Sequence, residues 1–328
     1  MKLGLKMLVP AAAAALISSA VVAEENYSVI SAPFGTGSYV LGAALEQIVN
    51  GAGSDIRISH SESPGFVFNH NQLDKDAALR KTMIVGSGRG VNAAAGNGDT
   101  PFKGKTATVK LLANYNLGTY FLATLDSGIK RVEDLQGKSI GLGRRPQINW
   151  TVQPEALIRV GYGIEPGAVE YLGIKEAASA LLDGRVDVAV VGGYVDPINN
   201  VMQLAPQTQE FVASGRDITF LSWSPAAVEK VAASGMPMSQ IDLPAGSVPG
   251  TTGPFPGFTD TVSWTVHADF PEEAAYKLTK IIIDNVEKFA DYHALGKLMS
   301  AASLPYGWPV DEIHPGALRA YREAGILK

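Results

Sequence analysis

Two adjacent arginines, Arg144 and Arg145, follow the short apolar run Ser139-Ile140-Gly141-Leu142 and a tight turn at Gly143. The run reads as a strand, and a helix is predicted from about Thr151. A strand whose loop feeds a helix N-terminus offers free backbone N–H groups and the positive end of the helix dipole. Two guanidinium groups beside such a terminus suit the capture of a carboxylate, which arginine grips with paired hydrogen bonds. Adjacent residues in a tight loop seldom point the same way, so one arginine is expected to bind and the other to be solvated.

Two further loops have the same form. The first is Ser31 to Ser38, between a strand at Tyr27–Ile30 and a helix at Tyr39–Val49, and it directs Thr36, Gly37, Ser38 and Tyr39 toward a cleft. It lacks the Gly-Lys-Ser/Thr ending of a phosphate-binding loop. The second is Gly86-Ser87-Gly88-Arg89-Gly90, after a strand at Thr82–Val85. It is an incomplete dinucleotide fingerprint, because Val91 stands where the last glycine belongs and no acidic residue follows on the next strand. Ser87 is a candidate ligand contact there, and Arg89 is either a second anion contact or a solvated loop charge.

Catalytic patterns are missing from the sequence. The five histidines have no metal-ligand spacing, there is no Gly-x-Ser-x-Gly elbow, and there is no cysteine. No cofactor is expected, and a binding protein is favoured over an enzyme. Without cysteine there is neither a disulfide framework nor a lipid-bearing residue at an export site.

The elements that must position these loops alternate. Beyond Leu142 come a helix at Gln153–Val160, a strand at Val169–Leu172, a helix at Lys175–Leu182 and a strand at Val186–Val191. Gly161 and Gly184 stand as helix stops. Such alternation predicts parallel sheet covered by helices on both faces. Gly118–Leu125 and Thr261–Val266 read as strands, with an irregular surface excursion from Pro237 to Phe258. A long helix is predicted from Pro271 with Asp269 as its cap, and a last helix starts at Pro315.

The chain has 328 residues, 46% hydrophobic and 18% charged, which fits a globular protein with ample core. Lys2 and Lys6, the apolar run Leu8–Ile17 and the small residues ending at Ala23 form a secretory signal, with cleavage expected after Ala23. Its loss removes two lysines and takes the formal charge from −5 to −7. An acidic chain argues against a nucleic-acid partner, and no later stretch is apolar enough to span a bilayer.

Four stretches carry a family resemblance: Gly35–Ile48, Ser127–Gly143, Ala177–Pro197 and His314–Leu327. Together they resemble periplasmic solute receptors of the type II binding-protein fold, and more narrowly the TAXI group that serves TRAP transporters. The resemblance implies an α/β fold of two lobes, each a mainly parallel sheet flanked by helices, joined by two hinge strands. It places residues 24–119 plus 262–328 in the first lobe and 120–261 in the second. It adds Gly193 and Tyr194 at the end of a strand as ligand contacts, together with the loop of Ser63, Pro64 and Gly65. Pro64, Phe66 and Phe68 depart from the family's pattern, and each ring is either core or cleft wall. Tyr115 completes the candidate set. Where the family carries a small Gly-Ser-Gly-Thr-like run, this chain has Arg144, Arg145, Gln147, Asn149 and Trp150. That change favours a ligand with more negative charge or an aromatic ring, a dicarboxylate first and an aromatic carboxylate next.

The resulting expectation is a monomeric periplasmic receptor that closes over a small organic acid and docks on a TRAP-type permease, with no membrane anchor of its own. The alternative is a sensor that presents its bound state to a signalling partner.

Overall fold

The computed structural model describes residues 24–328. The expected secretory signal, Met1 to Ala23, lies outside them. In chain order the elements are β1 (Glu25–Ile30), α1 (Gly37–Gly51), β2 (Ile56–Ser61), α2 (Phe66–Lys75), β3 (Met83–Ser87), α3 (Arg89–Asn97) and β4 (Lys110–Thr124). There follow β5 (Ser139–Leu142), α4 (Val152–Ala156), β6 (Ala168–Tyr171), α5 (Ile174–Leu182), β7 (Val188–Asp196), β8 (Val201–Leu204), α6 (Pro206–Val212), β9 (Thr219–Leu221) and α7 (Pro225–Ala233). The chain closes with β10 (Ser239–Leu243), β11 (Phe255–Val266), α8 (Glu272–Asp284), α9 (Phe289–Tyr292) and α10 (Pro315–Glu323).

Parallel strands β2, β1 and β3 build one half of the sheet and parallel strands β7, β5 and β6 the other. Between them run the two longest strands, β11 and β4, paired antiparallel to each other and to their neighbours, in the order β2-β1-β3-β11-β4-β7-β5-β6. These are the two connecting strands. Their pairing shifts register between Val262 and Ser263 and again between Trp264 and Thr265. Bulges bend a strand and re-aim its side chains, and these fall where the halves meet.

Each strand–helix unit forms for local reasons. In α1 the residues Leu41, Leu45, Ile48 and Val49 recur at helical spacing and are buried. Thr36 caps this helix, its hydroxyl accepting from the Tyr39 N–H at 3.3 Å. Among the parallel strands β7 is buried from end to end, as a strand covered on both faces is, while the outer strands β2 and β6 keep polar, partly exposed positions.

Six sequence expectations are corrected. Gly118–Leu125 is only the far part of β4, and Thr261–Val266 only the last half of β11, because pairing with each other extends both strands. The excursion from Pro237 to Phe258 contains β10, which pairs antiparallel with the start of β11. The helix predicted over Gln153–Val160 is a single turn of α4 that widens into a π-turn over Leu157–Gly161. Gly192 to Tyr194 lie inside β7, which runs on to Asp196 because β8 folds back against it. Asp269 does not cap α8: Pro271 holds that position, and the Asp269 N–H donates to His267 Nδ1 at 3.1 Å.

Candidate functional site: the cleft between the lobes

The loops after β1, β3 and β5 leave the carboxyl ends of parallel strands, where α/β sheets bind ligands. A cavity, partly open to solvent, lies between the halves. From the first half it is lined by Ala32, Pro33, Thr36, Ser38, Gly65 and Phe66, and from the second by Pro146 to Trp150, Ile174, Tyr194 and Gln207. Tyr120 and Val262 on the connecting strands complete the wall. Apolar surface dominates, and no Arg, Lys, His, Asp or Glu among the described residues lines it.

Of the residues singled out in the sequence, Thr36, Ser38, Gly65, Phe66, Gln147, Asn149, Trp150 and Tyr194 come together on this wall. Phe66 opens α2, so its ring is fixed at the cleft edge, while Phe68 turns outward. Trp150 packs edge-to-face on Tyr120 with ring centroids 4.9 Å apart, and Tyr120 leans on Phe258 at 5.7 Å. Burial pushes the Tyr194 hydroxyl up to about 12 and the Tyr120 hydroxyl well above the usual range, so both are neutral donors at neutral pH.

The other candidates stand elsewhere. The Arg144 N–H donates to the Gln147 side chain at 2.8 Å, and the Arg144 carbonyl accepts from the Thr151 hydroxyl at 2.8 Å. That tied turn directs both guanidinium groups outward. Arg144 borders an outer hollow at the mouth with Phe34, Lys175 and Glu210, and Arg145 stacks on the Tyr171 ring at 3.9 Å. Arg89 faces Glu312 at 3.8 Å, in a smaller hollow behind the connecting strands. Tyr39 sits between Phe34 and His60, and Gly193 is buried against β8. Gly37 is covered by Tyr194 and Leu295, and Tyr115 is buried against Trp264.

Ser63 and Ser87 act inside the scaffold. Ser63 donates to the Ser31 carbonyl at 3.0 Å and accepts from the Gly65 N–H at 3.3 Å, shaping the loop that brings Gly65 to the cavity. Ser87 bonds to His70 Nε2 at 2.7 Å, and His70 Nδ1 lies 2.7 Å from the Ala107 carbonyl. A carbonyl only accepts, so Nδ1 carries the proton and Nε2 accepts from Ser87. Burial holds His70 down at about 4, hence neutral. The pair is closed to solvent, which rules it out as a nucleophile and base acting on a ligand.

Sequence reasoning missed Tyr120, Ile148, Ile174, Gln207 and Val262. It also missed Asp260, a buried carboxylate just behind the wall. Asp260 accepts from the Gly90 N–H at 3.3 and 3.1 Å, the Thr261 N–H at 2.7 Å, Asn149 Nδ2 at 3.1 Å and Gln153 Nε2 at 2.9 Å. Gly90 is required, since a Cβ there would meet Asp260 Oδ2 at 2.5 Å and Gln153 Nε2 at 2.6 Å. Burial raises the Asp260 carboxyl to about 6 despite these donors and the nearby Arg89 charge. Its one sequence signal is an acidic residue inside an otherwise uncharged apolar strand.

A two-halved sheet crossed by two long strands, with a cavity at the strand ends, defines the type II periplasmic-binding-protein fold. The chain belongs to the NMT1-like family, whose model matches residues 29–325. Among solved structures it is similar to R. palustris Rpa4515 with adipate, at 14% identity and a TM-score of 0.52 over 92% of this chain and 93% of that one. It is also similar to MatC from Rhodopseudomonas palustris with bound malate, at 12% identity and a TM-score of 0.52 over 83% and 88%. A third similar structure is a TctC solute binding protein from Polaromonas, at 12% identity and a TM-score of 0.50 over 85% and 88%. At these identities the likeness is one of fold.

Proposed function

We propose that this protein is an exported solute receptor that binds a small organic anion between its lobes and hands it unchanged to a membrane permease. The observation that carries the reading is the interlobe cavity walled by Phe66, Tyr120, Trp150 and Tyr194, with uncharged polar groups at Thr36, Ser38, Gln147, Asn149 and Gln207. Rings from both halves facing one space suit a ligand with an apolar or aromatic body. Ser38, in the first turn of the fifteen-residue α1, is the group best suited to a carboxylate, because helix N-terminal N–H groups favour anions. Between the two ligand classes expected from the sequence, the uncharged, ring-lined wall favours the aromatic or apolar carboxylate.

Contacts from both lobes stabilise the shut state, so binding and closure are coupled through β4 and β11. The solved proteins of this fold that carry adipate and malate support a carboxylate ligand. The TAXI-like motifs favour a TRAP-type permease, and the likeness to a TctC solute binding protein is one of fold alone. Purifying the mature protein from periplasm and identifying the copurified molecule by native mass spectrometry tests the reading. A small carboxylic acid, released intact on unfolding, is the expected result. A chemically altered molecule, or a ligand without an acidic group, counts against it.

A further inference from the structure

We propose that Ile148 is a specificity-determining residue: it closes the cavity toward a separate apolar cluster and so sets the length limit of the ligand's apolar body. The inference rests on the carboxylate-receptor reading above.

Ile148 opens the single 3-10 turn Ile148–Trp150 and lines the cavity, yet only 2% of its surface is exposed. The rest packs in a cluster apart from the main core, with Val67 on α2, Val91 and Ala95 on α3, and Phe102 in the segment after α3. Among the described residues, Ile148 is the one buried member of this cluster that also lines the cavity. The half-buried Phe66 ring packs against the same cluster and lines the same cavity. These two side chains therefore stand between the ligand space and an apolar region built by the first half.

The backbone that carries Ile148 is tied on both sides. The Gln147 N–H donates to the Arg144 carbonyl at 2.7 Å, the Thr151 N–H to the Ile148 carbonyl at 3.2 Å, and Asn149 Nδ2 to Asp260 Oδ2 at 3.1 Å. A wall held this way does not retreat before a longer ligand, whose added carbons meet a close-packed, stiff β-branched side chain. Nor does it collapse fully when shortened, because the surroundings of a truncated core residue relax only in part. Space opened at Ile148 would be bordered by Val67, Val91, Ala95 and Phe102. Apolar space of that kind stays dry and accepts an apolar group.

Two series of monocarboxylates, titrated calorimetrically into the mature protein, test the length limit: straight-chain acids from butanoate to decanoate, and phenylalkanoates from benzoate to 4-phenylbutanoate. In the parent, affinity should rise with each added carbon up to a limit and fall beyond it. Ile148→Ala shortens the side chain and should move that limit to longer acids. Within a series, the first acid rejected by the parent should gain at least about tenfold in affinity relative to the last acid accepted. Ile148→Val removes a single methylene, is milder on folding, and should shift the same ratio about fourfold. An unchanged ratio in Ile148→Val overturns the proposal, whether or not Ile148→Ala folds, since an equal loss for every acid is the behaviour of a purely structural residue. A parent whose affinity climbs to the end of both series overturns it too. If the parent binds no acid of either series, the carboxylate-receptor reading itself fails and this inference falls with it.

Discussion

Tyr194 of the second lobe stands directly over Gly37, the first residue of α1 in the first lobe: a Cβ on Gly37 would meet the Tyr194 hydroxyl oxygen at 2.8 Å. The two lobes therefore touch at the helix terminus proposed to receive the anion. The Gly37 N–H also opposes the burial that raises the Tyr194 hydroxyl, as a donor facing the phenolic oxygen should. A side chain on Gly37 would hold the lobes apart.

Gly37→Ala should accordingly weaken binding of the identified ligand by about tenfold, the lower end of an overpacking cost of about 1–3 kcal/mol. Solution scattering with saturating ligand reads the cause. The variant is expected to keep a larger radius than the parent under the same conditions. Equal radii and equal affinity would mean that the Tyr194 contact is not part of closure.

Phe66 opens α2 at the cavity edge, and its ring is half-buried, so truncation should cost binding more than folding. For a ligand with an apolar or aromatic body, Phe66→Ala is expected to lose about 1–3 kcal/mol of affinity. Phe68→Ala, altering an exposed ring on the same helix, should leave affinity unchanged. Parallel calorimetric titrations compare them, and equal losses would remove Phe66 from the site.

Asp260 also predicts a pH dependence of stability. Its folded-state carboxyl is raised to about 6 from the ordinary 3.8, with burial as the leading cause. Between those values the folded protein holds more protons than the unfolded chain, so this group's stabilising contribution is complete below the lower value. It is lost as pH rises through about 6. The loss is on the order of 3 kcal/mol for a shift of this size. Urea unfolding of the parent and Asp260→Asn across this window isolates the effect, because other carboxylates cancel in the difference. Relative to the variant, the parent should lose stability as pH rises. A constant difference would show that Asp260 titrates normally.

The paired arginines should behave unequally. Arg145→Ala removes a guanidinium stacked on Tyr171, outside the cavity, and should change ligand affinity by less than about 1 kcal/mol. Arg144 borders the mouth, where it can attract an anion without touching it in the shut state. Arg144→Ala should slow association and reduce its dependence on salt, leaving dissociation little changed. Stopped-flow fluorescence at low and high salt checks both. A loss of about 2–5 kcal/mol in either variant would restore a direct guanidinium–carboxylate contact.

The two lobes were implied by the chain's family resemblance, while the amino-acid sequence by itself determined the strand-loop-helix rhythm and the loops that meet at the cleft. Each of these is written in local signals: apolar runs of strand length, helical spacing in Leu41 to Val49, and Gly-rich turns before helix starts. It determined much of the wall too, since Thr36, Ser38, Gly65, Phe66, Gln147, Asn149 and Trp150 all stand in or next to those loops. Only the tertiary structure decided which way the side chains of a loop point. Arg144 and Arg145 turn outward because Gln147 and Thr151 tie the backbone between them, a bond pattern that spacing does not reveal. Tyr120 and Val262 reach the cavity because β4 and β11 cross from one lobe to the other beside a bulge, and their facing follows from that register. Asp260 gained its partners from Gly90, 170 positions earlier in the chain, and from Asn149 and Gln153, 111 and 107 positions earlier. A buried carboxylate persists only where such distant donors converge on it, and their convergence is a property of the folded chain.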